Sequence, residues 1–415
     1  MGVTSSRFQE VMREGSVRTV FQPIISVKKN SIIGFEALSR FAARGGETIS
    51  PLEMFAEAAA GGHSLELDRL CRSKALERYA SLNTGENEYI LSINLDPAAL
   101  AEGSGSNHLM ESVEKYGLPP GRVLIELTES NSCGMDLLET FVTAYRSRGF
   151  LIALDDVGSG YSSLERISVV KPDVLKIDCA LTGKINSGYH SREMFKALVS
   201  LAHKTGSLVV AEGVETEDQV LSALELGADM LQGFYFAQAA DDIVAVKGAV
   251  EEKIAGIGLT SRKNIVNKIN TRKAQHKSYS QIINDFVAEL SKVDEELFDP
   301  TLHALVKRYP ELECAYVLDS DGQQASATVF PEGRQTSPQG FFFQPAQKGA
   351  DQSSKDYFFL VASGLLKYTT EPYISLASRH ICITISVAFR DHKYLKRILC
   401  LDIVQDESQA LRGPG

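Results

Sequence analysis

LIALDDVGSGYSSLERISVVKPDVLKID, residues 151–178, reads as strand, helix, strand. LIALDDV is an apolar run that stops at two acids, Asp155 and Asp156. VLKIDCA is a second run, with Lys176 between apolar neighbours and Asp178 two residues on. Acidic or amide side chains recur where other apolar runs stop: Glu36 after SIIGF, Asn94 after ILSI, Glu126 after RVLI and Glu212 after LVVA. Carboxylates at strand ends are costly to bury and contribute nothing to packing. They suit hard divalent cations, which take oxygen ligands.

Working outward, the same alternation fills residues 21–236. Strand candidates are FQPIISV, GFEALSR, YILSINL, VLIELTE, LIALDDV, VLKIDCA, SLVVAEGV and MLQGFYF. Between them lie helical patterns. SPLEMFAEAAA opens with a Ser cap and Pro at the first helical position. LELDRLCRSKALERYASL, DLLETFVTAYRSRG, SREMFKALVSLAHKTG and TEDQVLSALELG carry apolar residues at helical spacing, and the last three end in Gly. This repeat predicts a (β/α)8 TIM-like barrel with its active site at the C-terminal strand ends, where the motif carboxylates fall. A doubly wound open sheet is the alternative, but it would carry a Gly-rich phosphate loop after its first strand.

The chain has 415 residues, so two domains are expected. A net charge of −10 argues against polymeric nucleic acid as main partner, yet admits a small phosphorylated ligand if metal ions offset the repulsion. The six cysteines lie far apart and the eight histidines are scattered, which disfavours a disulfide framework and a zinc site and fits a reducing cytoplasm. No apolar stretch is long enough to span a bilayer and no secretory signal is present. MGVTSS matches the short myristoylation pattern and is read as a plain N-terminus leading into a helix around Phe8–Arg13.

Residues 243–297 read as a helical linker. Arg262, Lys263, Lys268, Arg272, Lys273 and Lys277 form a run without acids, more in keeping with a solvated helix face than with a nucleic-acid arm. Ile265, Ile269, Tyr279, Ile282, Ile283, Phe286 and Leu290 suggest a seam that links domains or pairs two chains. Beyond residue 298 an α+β module follows: ECAYVLDSDGQQASATVF as strand, Asp-Gly turn, strand; KDYFFLVASGLLK as helix; EPYISLAS, ICITISVAF and RILCLDIV as strands. The expected division is 1–242, 243–297 and 298–415.

FQPIIS, GFEALSR, SINL, ELTES, DDVGSGYSSL, LKID, AEGVET and QGFYF, in that order, closely resemble the EAL-domain phosphodiesterases, which hydrolyse cyclic di-GMP to linear pGpG. The resemblance spans roughly residues 15–240 and rests on the ordered set rather than on any single string. It implies two Mg²⁺ or Mn²⁺ ions, the first held by Glu36, Asn94, Glu126 and Asp155, the second by Asp155, Asp156 and Glu212. Two such cations neutralise a bridging phosphate and lower the pKa of a water. The resemblance also implies catalytic roles for Lys176, Glu36 and Glu212. It places Gln22, Leu38, Arg40, Asp178 and Gln232 at the substrate and gives Glu129 and Glu215 a loop-steadying role. Beside the two cations Lys176 is expected to have a depressed pKa.

Each residue has a plainer reading. Asp155 or Asp156 would cap the following helix, Lys176 lie on an edge strand, Arg40 make a surface ion pair, Asp178 accept a structural hydrogen bond, and Glu129 serve as an N-cap. Gly158, Gly160 and Tyr161 shape the turn after the acids. The sequence departs from the family pattern at Val157, where Phe is common, and in AQAA after QGFYF, which lacks a Pro. Neither change removes a ligand. No cyclase motif precedes the barrel. A receptor that binds cyclic di-GMP without cleaving it is the alternative function.

Residues 298–405 resemble PAS-like or Cache-like sensor domains in strand order. That implies an unknown small-molecule ligand, with Lys355, Tyr357, Tyr373, Arg379 and Asp402 as candidate contacts. A dimerisation module is the structural alternative, and a homodimer is expected.

Overall fold

The computed structural model describes residues 6–43, 46–82, 89–96, 107–128, 134–159, 164–333, 344–376 and 378–405. The chain divides into two compact units, Met1–Lys263 and Asn264–Gly415.

In the first unit the strands are β1 (Val17–Ser26), β2 (Ser31–Ala42), β3 (Thr48–Ile49), β4 (Ile90–Leu95), β5 (Val123–Thr128), β6 (Leu151–Val157), β7 (Val174–Ile177), β8 (Leu208–Ala211) and β9 (Met230–Leu231). The sheet order is β1-β9-β8-β7-β6-β5-β4-β2-β3, and β1 also pairs with β2. The sheet therefore closes into an eight-stranded barrel, with the two-residue β3 appended to β2. The eight strands read from the sequence are all present.

One direction departs from a regular (β/α) repeat. β1 runs antiparallel to both β2 and β9, while every pairing from β2 through β4 to β9 is parallel. The cause is the link. Only residues 27–30 join β1 to β2, with Asn30 at φ 51. A parallel crossover needs a dozen or more residues, so a four-residue turn can only make a hairpin.

The helices Pro51–Gly61, Ser64–Ser81, His108–Lys115, Met135–Arg146, Leu164–Val170, Tyr189–Thr205 and Glu217–Glu225 separate the later strands. Pro51 starts its helix as expected, but the Ser50 side chain makes no cap hydrogen bond. Thr216 does cap, in a reciprocal box with Gln219. Gly206 closes Tyr189–Thr205 in the left-handed conformation; Met135–Arg146 and Glu217–Glu225 stop at Ser147 and Leu226, with their glycines just beyond.

Strand alternation sorts the barrel into layers. Phe35, Leu91, Ile93, Ile125, Leu127, Ile152, Leu154, Leu175, Ile177, Val209 and Leu231 belong to the large cluster shared with the helices. Ile24, Leu124, Ala153, Val174, Val210 and Met230 form a separate cluster inside the barrel. Two residues further up each of those strands the interior turns polar.

The second unit holds β10 (Leu312–Leu318), β11 (Lys367–Thr369), β12 (Tyr373–Ile374), β13 (Ile381–Arg390) and β14 (Lys396–Val404), in order β10-β14-β13-β11 with β12 beside β13. All pairings are antiparallel. One face packs Ala315, Val317, Ile383, Ile385, Leu399, Leu401 and Ile403 against helical Ile282, Ile283, Phe286, Leu290, Phe298, Leu302, Leu305 and Val306.

One expectation is corrected here, and two are refined. The strand expected after the Asp-Gly turn is only a set of isolated bridges: Leu318 with Gln324, Ala315 with Val329 and Gln323 with Asp351. Ser326 Oγ takes the Val317 amide and so replaces a regular backbone ladder. The expected linker is one helix, Ile243–Leu290, followed by a 3₁₀ turn at Glu295–Leu297. Ile243, Val250, Ile254 and Ile257 pack into the first unit's core, so the helix starts as part of that unit. The helical seam splits likewise. Ile282, Ile283, Phe286 and Leu290 are buried in the chain's own second core, and Tyr279 packs against it; only Ile265 and Ile269 stay exposed. Among the described residues no helix is long and apolar enough to cross a membrane.

A carboxylate ring as candidate metal and active site

Each of the eight barrel strands delivers one polar side chain to the same interior level, within the strand or one residue past its end. These are Gln22, Glu36, Ser92, Glu126, Asp155, Lys176, Glu212 and Gln232. Each lies two residues above an interior residue of the layer below, which makes them a ring. Gln22 and Glu36 are direct cross-strand partners, and Ser92 lies level with Glu36 on the next strand. Seven of the eight were singled out from the sequence.

Four carboxylates in this ring face one ammonium. Lys176 Nζ lies 2.7 Å from Glu212, 2.8 Å from Glu126, 3.1 Å from Asp155 and 3.5 Å from Glu36. Lys176 is 1% exposed and Glu126 0%. Amides supply the remaining polarity. Asn94 Nδ2 donates to Glu36 Oε1 at 2.9 Å, and Gln232 Nε2 donates to Glu36 Oε2 at 2.6 Å and to Gln22 Oε1 at 3.2 Å. Gln22 in turn donates to the Ala237 carbonyl.

The protonation pattern follows this crowding. Burial, joined by Glu36 and other like charges, pushes Glu126 well above the usual carboxylate range. Burial raises Glu212 well above it too, against the pull of Lys176, and also raises Asp155. Glu36 alone is held low: burial pushes it up, but Lys176 and the amides of Gln232 and Asn94 outweigh that. Burial would lower Lys176, yet Asp155, Glu126, Glu212 and Glu36 hold it well above its ordinary value. The depressed value expected of Lys176 belongs to a site carrying two further cations.

Asp155 and Asp156 are neighbours in β6 and would face opposite ways in an extended strand. The backbone resolves this. Asp156 sits at φ 59, and the β6–β7 register shifts between Leu154 and Val157. One oxygen each from Asp155, Asp156 and Glu212 lie within 4.8 Å of one another. Burial, then the Asp155 charge, lifts Asp156 to about 6.

Divalent cations fit this donor set. It consists of hard oxygens, its negative charge exceeds the single ammonium, and Glu126 Oε2 is buried with no hydrogen-bond partner. Glycines bring the rim together. Gly213 of AEGVET has φ 65, and a Cβ there would lie 2.3 Å from Cys179 Cβ. A Cβ on Gly233 of QGFYF would lie 2.1 Å from the Val214 carbonyl oxygen.

The other candidates lie outside the ring. Leu38 and Arg40 follow Glu36 along β2; both are half-buried, and Arg40 donates to the Ser39 carbonyl. Asp178 accepts from the Ala180 amide and caps the helix Cys179–Thr182, its plainer reading. Glu215 is exposed, and Gln219 takes its backbone N–H. Glu129, Gly160 and Tyr161 lie outside the described residues. Ser92 was missed, although its place two residues before Asn94 puts it on the same strand face. Arg166 was missed too: fully buried, it donates to the Thr128 carbonyl at the end of β5.

In the second unit, Tyr373 and Asp402 are bonded to each other, Tyr357 donates to Gln352, and Lys355 precedes the helix Asp356–Ala362. Arg379 sits in a turn at φ 66.

The family model described as EAL domain matches residues 5–239. The EAL-domain containing protein YkuI of Bacillus subtilis is 23% identical over 384 residues, covering 90% of this chain and 92% of YkuI. The YkuI crystal structure, in complex with substrate c-di-GMP and calcium, superposes with a TM-score of 0.79 at 22% identity, covering 96% of this chain and 99% of that one. Cyclic di-GMP phosphodiesterase PdeA of Borreliella burgdorferi is 29% identical over 215 residues, which is 52% of this chain and 32% of PdeA. A protein of Azorhizobium caulinodans is 32% identical over 253 residues, which is 59% of this chain and 34% of its own length. The chain spans about a third of the length of the first curated relatives it matches.

Proposed function

The chain belongs to the EAL-domain family, and from that premise we propose that it hydrolyses cyclic di-GMP to linear pGpG with two divalent cations, Mg²⁺ or Mn²⁺. The observation that carries the proposal is the ring of four carboxylates, three buried and Glu212 half-buried, around a single ammonium, with Glu126 Oε2 left bare. Relatives named as cyclic di-GMP phosphodiesterases support the substrate.

Glu36, Asn94, Glu126 and Asp155 would hold one cation, and Asp155, Asp156 and Glu212 the other. When bound, such ions supply charge neutralisation at the phosphate and acidify a water. The chain's own groups do the rest. Lys176, fixed by Glu36 and Glu212, donates to the attacking water and orients it toward phosphorus. The water oxygen bonds to phosphorus as the 3′ oxygen leaves, giving a 5′-phosphate and a free 3′-hydroxyl. Arg40 offers a charge-assisted fork to a phosphate oxygen, while Gln22, Leu38, Asp178 and Gln232 line the substrate. Glu129 and Glu215 steady the rim loops. The reaction takes place in the cytoplasm.

The test is incubation of the full chain with cyclic di-GMP and Mg²⁺ or Mn²⁺, then chromatography. Linear product that vanishes on chelation is expected; none at any protein concentration overturns the proposal, and tight binding without cleavage would make the chain a receptor.

The second unit, taken as a PAS/Cache-like module over 298–415, would regulate the barrel in a homodimer through the helical segment 243–297 and an unknown small molecule. Light scattering that finds only monomer, with the barrel unit alone as active as the whole, would remove that role.

A further inference from the structure

Ser92 is the one member of the eight-residue ring that the proposed reaction leaves without a task. Its hydroxyl donates to Glu126 Oε1 at 2.6 Å, and Lys176 Nζ reaches the same oxygen at 2.8 Å. All three side chains are essentially sealed from solvent. Both donors therefore converge on one oxygen, and Glu126 Oε2 is buried without a hydrogen-bond partner.

A carboxylate is symmetric, so an ammonium alone can donate to either oxygen and leaves the group free to rock about its last torsion. A second donor from another strand removes that freedom. Ser92 rises from β4 and Lys176 from β7, on either side of β5, which carries Glu126. Packing gives no reason for a hydroxyl here, since an alanine would fill nearly the same space without a polar atom to satisfy.

We infer that Ser92 is a positioning residue: it pins Glu126 Oε1 so that Oε2 is presented to a divalent cation. The inference rests on Glu126 being a cation ligand. Groups that orient ligands in this way typically govern affinity by 10–100-fold.

Full-length wild type, Ser92→Ala, Ser92→Thr and Glu126→Gln, stripped of metal, are titrated with Mn²⁺ by calorimetry, and the melting of each metal-free protein is recorded. Ser92→Ala is expected to bind Mn²⁺ about 10–100-fold more weakly. Ser92→Thr, which keeps the hydroxyl, recovers most of the loss. Turnover by Ser92→Ala should fail at limiting Mn²⁺ and return with excess, with KM for the nucleotide unchanged. Mn²⁺ affinity in Ser92→Ala within twofold of wild type overturns the inference. So does equal weakening in Ser92→Ala and Ser92→Thr with lowered metal-free melting, which would make Ser92 a packing residue. Wild type that binds no Mn²⁺, or Glu126→Gln that binds it as well as wild type, strikes the cation reading itself.

Discussion

The barrel ring and Asp402 of the second unit treat buried carboxylates differently. In the barrel, four carboxylates meet one lysine, and Glu126 keeps an oxygen with no hydrogen-bond partner. In the second unit, Asp402 accepts from Thr384 Oγ1 at 2.7 Å, Tyr373 Oη at 3.1 Å and Cys314 Sγ at 3.4 Å, all neutral donors. Asp402 is a closed account; the ring is overdrawn. A surplus of buried charge over partners marks a place prepared for something absent, whereas a satisfied carboxylate marks architecture. On that reasoning Tyr373 and Asp402, both candidate sensor contacts, hold the short strand β12 against the sheet.

Four measurements sharpen or break the contrast. The largest effect is on turnover. Glu36→Ala or Asp155→Ala should lower kcat by at least about 10³-fold, since each removes a shared charge-stabilising group. Chromatographic assay checks this, and a loss below tenfold would remove the ring from the chemistry.

Next comes stability without metal. Lys176→Met strands four carboxylates and should cost about 3–5 kcal/mol in metal-free denaturant unfolding. Glu126→Gln relieves like-charge crowding and should raise metal-free stability while abolishing activity. If Glu126→Gln is instead the destabilising change, the ring is structural.

Third is pH. Burial first, against the hydrogen bonds from Thr384, Cys314 and Tyr373, leaves Asp402 at about 6, above the ordinary aspartate value of 3.8. Between those values the folded chain binds more protons than the unfolded one. Stability from Asp402 is therefore full below about pH 4 and falls as pH rises to about 6, by roughly 3 kcal/mol at most. Asp402→Asn should flatten this segment of the pH–melting curve. An unchanged curve would show that Asp402 titrates normally.

The smallest effect is ligand linkage. Mn²⁺ at a hundred times its Kd should stabilise the wild-type barrel by about 2.7 kcal/mol, and equally in Asp402→Asn. Calorimetric scans with and without metal test this, and a shift that depends on Asp402 would tie the two clusters together.

Much of the barrel was legible because each strand is a short apolar run interrupted or ended by a polar residue near its end. Residues 27–30 already dictated the reversal of β1, since four residues cannot cross over, but strand content was read before linker length. Ser92 was not legible because a serine in an apolar run carries no charge or amide to set it apart, although its place two residues before Asn94 puts it on the same strand face. The facing of Asp156 was beyond a one-dimensional reading. It depends on a left-handed backbone at a non-glycine residue, which the surrounding strands impose. In the second unit the turn at Asp319–Gly322 was legible, but a serine hydroxyl standing in for a strand was not.

The reversed first strand has a consequence for biosynthesis. It seats Gln22, among the first ring residues to leave the ribosome, against Gln232, the last. Until about residue 232 has been translated, β1 lacks one of its two neighbours and the nascent barrel stays open to water. The acids wait there hydrated, so their mutual repulsion is met only once the seam shuts, at the end of a high-contact-order search.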